Sequence, residues 1–288
     1  MIKTDLFKDY RLLDAGDREK LESWNGVILR RPDPMAIWPK IHPELWNKAK
    51  AIYHRSNKGG GSWEYKERLP ESWTVSFEDL TFKVSPTGFK HTGLFPEQAA
   101  NWKYIIENLK PNAKVLNLFA YTGAASIAAL KKGAEVTHVD ASKGMIEWAK
   151  ENRDLSSLNK APIHFVVEDC LKFMQREIRR GHKYDAIIMD PPSYGRGPDN
   201  ELFKFEDKIN PLIEAAIELL SDNPSFIIIN TYTTGYSSVT IANTLRRHLE
   251  EKGLISNVES DEIGIHIENS EYDLPCGSST RWEYEGHI

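Results

Sequence analysis

The stretch "YDAIIMDPPSYGRG", residues 184–197, joins a strand to a stiff corner. Its first half, "YDAII", is an apolar run of the kind that forms a strand buried on both faces. Its second half has an acid, two prolines and an aromatic. Each proline fixes φ and offers no N–H. Pro191 also pushes Asp190 towards an extended backbone. The product is a corner with a carboxylate at its root and bare carbonyls pointing outward. An ordinary turn needs only Asn-Gly or Asp-Gly, so this composition asks for a chemical reason.

Working outward, four more apolar runs read as strands: "KVLNLF" (114–119), "EVTHVD" (135–140), "IHFVVE" (163–168) and "SFIIINT" (225–231). Helical patterns separate them at 123–132, 142–156, 169–180, 204–220 and 237–251, and "PEQAANWKYIIENLK" (96–110) precedes the first, its proline placed for a first turn. Gly133 follows "ALKK" as a helix C-terminal glycine does. Asn210-Pro211 reads as an N-cap and first-turn proline. "SNVESDEIGIHI" and "STRWEYEG" close the chain as an antiparallel pair. The alternation gives an α/β fold, a Rossmann-like, seven-stranded, mostly parallel sheet with helices on both faces.

Residues 1–95 have a different texture and read as a small β-rich N-terminal domain, with 96–288 as the larger α/β domain. "WNGVILRR", "SWEYKERL", "WTVSFED" and "LTFKVS" read as strands, "FEDLTF" as a tight hairpin, "SNKGGGS" (56–62) as a linker, and "HPELWNKAKAIYH" (42–54) as a helix. The first 95 residues hold 16 Lys+Arg against 13 Asp+Glu, although the chain as a whole carries −5. The excess lies in residues 30–68, nine basic against four acidic, interleaved with Trp38, Trp46, Tyr53, Trp63 and Tyr65. Such a mixture can hold nucleic acid by phosphate contact and stacking. It can equally be a solvated face beside core aromatics, and the small excess favours the latter.

The remaining composition excludes several classes. No apolar run approaches the roughly 20 residues of a membrane span, and the N-terminus has no signal-peptide core. Two cysteines without ligand spacing, and nine histidines without a paired pattern, point to no metal and to a reduced, cytoplasmic setting.

In open α/β sheets, ligands bind beyond the C-terminal strand ends. Those ends carry "FAYTG" (119–123), "DAS" (140–142), "DC" (169–170) and "DPPSY" (190–194). A dinucleotide needs several glycines around its pyrophosphate, and the first loop has one, Gly123. Asp140, 17 residues on, can accept from ribose hydroxyls, and Asp169 from an adenine amino group. Ribose and adenine without a pyrophosphate describe S-adenosyl-L-methionine better than a nicotinamide cofactor. Either acid alone could be a helix N-cap; their order together with Gly123 and "DPPSY" carries the reading.

"VLNLFAYTGAASIAALKKGAEVTHVDAS", "VVEDCLKF" and "YDAIIMDPPSYGRG" resemble the class I S-adenosylmethionine-dependent methyltransferases. More narrowly, they resemble the bacterial large-subunit ribosomal RNA methyltransferases that modify cytosine C5 or guanine N7, and "FKHTGLFPEQ" (89–98) resembles that group's lead-in. The resemblance implies that Phe119, Ala120, Tyr121, Thr122 and Gly123 line the methionine side of the cofactor. It implies ribose contacts at Asp140, Ala141 and Ser142, and adenine contacts at Asp169 and Cys170. Thr92, Gln98 and Asp190 would complete the cofactor site. Asp190, Pro191, Pro192 and Tyr194 would form the catalytic corner, with RNA as partner, rRNA processing as the setting and a base nitrogen as acceptor.

Asp190 and the Pro191 carbonyl can accept hydrogen bonds from a planar nitrogen, and Tyr194 can stack on its ring. Asp190 as a turn cap with Tyr194 in the core is the bland alternative. Methylation of cytosine C5 needs a thiolate, and the relatives' cysteine positions read "DPPSYG" and "NTYTTGYSS" here. Cys276, expected in the connection between the last two strands, is the one thiol open to that role, and a buried structural cysteine is the favoured reading of it. A small-molecule acceptor and a non-catalytic, cofactor-binding RNA adaptor are the other readings. Arg196 and Lys204 read as a phosphate contact or, more simply, as exposed loop charges.

Overall fold

The computed structural model describes residues 1–196 and 200–287. Gly197, which closes the stretch quoted first, lies outside the described residues. The chain divides into two compact units, one of Lys3–Ala100 with Ile263–Cys276, the other of Met1–Ile2, Asn101–Glu262 and Gly277–Ile288. The division falls at Ala100/Asn101 rather than at 95/96, and the segment 263–276 groups with the first unit.

The first unit holds a five-stranded sheet in the order β1 (Tyr10–Gly16), β2 (Glu19–Trp24), β3 (Val27–Pro32), β4 (Ala51–Arg55), β5 (Gly61–Tyr65). A separate hairpin joins β6 (Trp73–Phe77) to β7 (Leu80–Val84), as "FEDLTF" led one to expect. "WNGVILRR" is not one strand: Asn25 and Gly26 both take positive φ, 50° and 86°, which makes them the two-residue turn between β2 and β3. The helix expected at 42–54 is also corrected. Only Pro43–Lys48 forms a short 3-10 turn, and Ala51–Arg55 pairs antiparallel with Gly61–Tyr65. Strand pairing wins because Tyr53 packs edge-on against Trp63 at 5.4 Å. "SNKGGGS" is therefore the hairpin loop of β4 and β5, not a linker. At Gly61 a Cβ would overlap the His54 carbonyl, so the close pairing needs glycine there.

A buried ionic group lies within this unit. Arg31 donates two hydrogen bonds to Glu22 at 2.6 and 2.7 Å, and the Tyr10 hydroxyl donates to the same carboxylate at 2.8 Å. Burial alone would raise the Glu22 carboxyl, but Arg31 and Lys20 outweigh it and hold it at about 2.

In the second unit, α1 (Ala99–Asn108) begins at the end of the first and leads into β8 (Lys114–Leu118), α2 (Ala124–Lys131), β9 (Glu135–Asp140), α3 (Lys143–Leu155), β10 (Ile163–Val167), α4 (Cys170–Arg180) and β11 (Ala186–Met189). A small hairpin of β12 (Tyr194–Arg196) and β13 (Leu202–Lys204) follows, then α5 (Phe205–Glu218), β14 (Phe226–Thr231), α6 (Ser238–Glu251), β15 (Val258–His266) and β16 (Asp273–Glu283). The large sheet runs β10-β9-β8-β11-β14-β16-β15. Its first five strands are parallel and β16 is antiparallel to β14. All four residues of β11 and all six of β14 are buried, as a sheet covered on both faces requires. One expectation fails: Pro211 lies inside α5, which starts at Phe205, where the backbone N–H donates to the Ser193 carbonyl at 3.1 Å. That tertiary bond starts the helix five residues before Asn210.

Candidate functional site

Strand order reverses between β8 and β11, so their C-terminal ends open the crevice where such sheets take ligands. Register places the residues of interest in one row. Leu118 pairs with Val139 and with Met189, Met189 with Ile229, and Asp140 with Val167. One step further along, Asp140, Phe119, Asp190 and Asn230 leave adjacent strands side by side. Asp169 follows two residues after Val167.

The loop after β8 is held in an unusual shape. Phe119 and Tyr121 take φ of 55° and 52°, a region that bulky residues rarely enter and that clusters at ligand clamps. The Phe119 N–H donates to Cys170 Sγ at 3.2 Å, and the Phe119 ring packs edge-on against Phe203 at 5.7 Å. The Tyr121 N–H donates to Asp140 Oδ2 at 2.9 Å, and the Ser142 N–H to Asp140 Oδ1 at 2.8 Å. Burial raises the Asp140 carboxyl above its ordinary value, and the two N–H donors oppose it. Each carboxylate oxygen has two lone pairs, so capacity remains for hydroxyl donors.

Beneath the loop, Asn117 donates to Ser126 Oγ at 2.9 Å, and Ser126 lies 2.9 Å from His138 Nδ1. With the hydroxyl proton directed at Nδ1, the imidazole carries its own proton on Nε2, near the Tyr121 carbonyl but without a bond of ordinary geometry. Burial pushes His138 down to about 3, so it is a neutral, structural support.

Gly123 takes φ of 86°, and a Cβ there would meet Ala149 Cβ at 3.0 Å and His138 Cε1 at 3.2 Å. Its missing side chain makes room for protein, not for a pyrophosphate. This fits an adenosyl ligand without phosphates and argues against a dinucleotide. Asp169 caps α4, accepting from the Lys172 N–H at 2.8 Å through Oδ1. Ala141 and Ser142 are exposed beside Asp140. Cys170 is buried and its thiol is pushed up by burial; it braces the Phe119 loop.

At the corner, Pro191 is buried, Pro192 is exposed and Tyr194 is 62 % exposed. Tyr194 is therefore not a core residue. Ser193 Oγ lies 2.9 Å from Thr233 Oγ1, tying the corner to the loop after β14. Thr92 and Gln98 lie in the first unit; Thr92 Oγ1 is buried with no hydrogen-bond partner. Cys276 lies within β16, not in the connection between the last strands, and its thiol is pushed well up by burial and by Glu97. Among the described residues no cluster of His, Cys, Asp or Glu could hold a metal, and no helix is long and apolar enough to cross a membrane.

The model of the S-adenosylmethionine-dependent methyltransferase family matches residues 48–244. The chain belongs to this family. A SAM-dependent methyltransferase from Agrobacterium tumefaciens, solved as a crystal structure, is 36 % identical, covering 98 % of this chain and 92 % of that one with a TM-score of 0.93. A methyltransferase solved with SAH is 20 % identical over 96 % of this chain and 75 % of its own, TM-score 0.75, which shows the shared fold. The ribosomal RNA large subunit methyltransferase K/L of Pseudoalteromonas atlantica is 38 % identical over 67 % of this chain, a match that spans only 30 % of that protein's length.

The methyltransferase also has site-edge residues that the sequence reading passed over. Asn230, buried, stands beside Asp190 in the row and accepts from Asn101 Nδ2 at 2.9 Å. Asn101 Oδ1 in turn receives two bonds from Arg281, at 3.0 and 2.7 Å. A polar residue ending the apolar run "IIIN" was the signal available for it.

Proposed function

We propose that this methyltransferase transfers methyl groups to a base nitrogen in RNA, ribosomal RNA being the favoured substrate. The observation that carries the proposal is the exposed ring of Tyr194, four residues after Asp190 in the segment that leaves β11, the strand at which the sheet's order reverses. A base that is unpaired or flipped out can stack on such a ring. The printed names of the curated relatives, ribosomal RNA large subunit methyltransferases, support the substrate class.

S-adenosylmethionine, when bound, supplies the electrophilic methyl group. Asp140, with Ala141 and Ser142 beside it, would hold the ribose, and Asp169 with the Cys170 backbone the adenine. Residues 119–123 would line the methionine side. Asp190 and the Pro191 carbonyl accept hydrogen bonds from the substrate's amino or ring N–H. They fix the nitrogen in position, which is the main contribution a site can make to a displacement. As acceptors they also stabilise positive charge developing on that nitrogen. C5 chemistry through Cys276 is disfavoured, because a thiol pushed well above its ordinary value stays protonated and un-nucleophilic.

Label transfer from methyl-labelled cofactor to bulk RNA, followed by nucleoside mass spectrometry, tests the proposal. A labelled N-methyl nucleoside is expected. A labelled C5-methylcytidine, or label only in small molecules, would overturn it.

A further inference from the structure

Directly after the catalytic corner, β12 and β13 pair antiparallel with Tyr194 opposite Lys204, Gly195 opposite Phe203 and Arg196 opposite Leu202. Opposed residues, and residues two apart, share a face. Tyr194, Arg196, Leu202 and Lys204 therefore form one face and Gly195 with Phe203 the other. Exposure agrees: Tyr194 is 62 % and Leu202 42 % exposed, Arg196 is exposed and Lys204 partly so, while Phe203 is buried. Phe203 packs against Phe119, so the reverse face anchors the hairpin to the loop after β8 and fixes which way the outer face looks.

Among the described residues, neither cation on that face pairs with a carboxylate. Arg196 gives one N–H to the Asn200 carbonyl at 3.1 Å, one of the five donors a guanidinium carries. Lys204 has no acidic partner among the described residues. Of the acids flanking it in sequence, Glu206 and Asp207 lie in the first turn of α5, where they complement the helix N-terminus, and Glu201 is engaged by Lys172 at 3.4 Å. The chain as a whole is anionic, at −5, so attraction for a polyanion has to be local. A ring with one cation about 7 Å away along its own strand and a second directly across the pair matches a nucleobase with its adjoining phosphates.

We infer that this hairpin face is a phosphate clamp for the single-stranded RNA flanking the target nucleotide, with Arg196 and Lys204 as its positioning residues. The inference rests on the RNA reading above and extends it: the substrate is a phosphodiester chain, not a free nucleoside.

The test is binding of a fluorescent oligouridylate, by anisotropy across a salt series in the presence of SAH, for the wild type, R196A/K204A and R196K/K204R. Neutralising a phosphate changes the slope of log affinity against log salt by about 0.7 per contact on single strands. The double alanine variant is expected to bind more weakly, with a slope shallower by about 1.4. The lysine/arginine exchange should keep the wild-type slope, and SAH titration should be the same in all three. An unchanged slope in the alanine variant overturns the clamp, as does a wild type that does not bind the oligonucleotide. Wild-type label transfer to RNA, measured alongside, separates the two ideas. Transfer with an unchanged slope sinks only the clamp, and no transfer sinks the RNA reading itself.

Discussion

At the residue scale, the corner and the loop facing it make separable demands. Asp190→Ala is expected to lower kcat by about 10²–10³-fold, the loss typical of one pre-oriented polar group at a reacting centre, with SAH affinity changed far less; single-turnover label transfer measures it. Tyr194→Ala should remove about 1–3 kcal/mol of stacking and appear as a raised KM for RNA. Gly123→Ala should destabilise the protein by about 1–2 kcal/mol from its left-handed φ alone, and more from the close approach to Ala149 and His138; the urea midpoint reports it. Because burial raises Asp140, SAH binding should weaken on acidification at a pH above the ordinary carboxylate value. Asp140→Asn should bind SAH weakly at all pH values, without that dependence. The position of the acids at or just past strand ends was legible in the sequence, because each follows an apolar run. The positive φ of Phe119 and Tyr121 was not, since neither residue type signals it. It arises from tertiary bonds to Cys170 and Asp140.

At the element scale, the five parallel strands and the helices between them were readable almost to the residue, because continuous β-branched runs and amphipathic stretches differ in period. The first unit was read less well. Residues 42–54 have a helical pattern locally, yet Ala51–Arg55 is claimed by a partner strand ten residues away. Short segments are decided by what they pair with, and single-sequence periodicity does not contain the partner. Within the basic-aromatic stretch 30–68 the aromatics divide, with Tyr65 52 % exposed. Trp38, Trp46 and Trp63 each donate their indole N–H within the unit, and Tyr53 is buried. The Glu22–Arg31 pair joins neighbouring strands of this sheet. Removing Arg31 leaves the buried Glu22 carboxylate with only the more distant Lys20 and the Tyr10 hydroxyl, so Arg31→Met should cost about 3 kcal/mol, read from denaturant unfolding. Glu22 contributes its stability in full above the ordinary Glu value of 4.5, and that contribution fades as pH falls towards about 2. Glu22→Gln should flatten the acid limb of the stability profile across that window.

At the scale of the whole molecule, ligand binding and stability are linked. SAH at 100 times its Kd should stabilise the native protein by about 2.7 kcal/mol, seen as a rise in Tm that Asp140→Ala abolishes at the same SAH concentration. The path of the chain through its two units was the least legible feature. Composition changes visibly near residue 95, but nothing in "IGIHIENSEYDLPC" announces a return to the first unit. Lys3–Asp273, Arg11–Glu268 and the Glu268 N–H to Leu12 carbonyl bond carry that return, and each joins residues more than 250 positions apart. On the ribosome, β1–β7 emerge long before the segment that finishes their unit. A nascent chain arrested after residue 262 should therefore keep its first hundred residues open to protease, and release past residue 276 should close them.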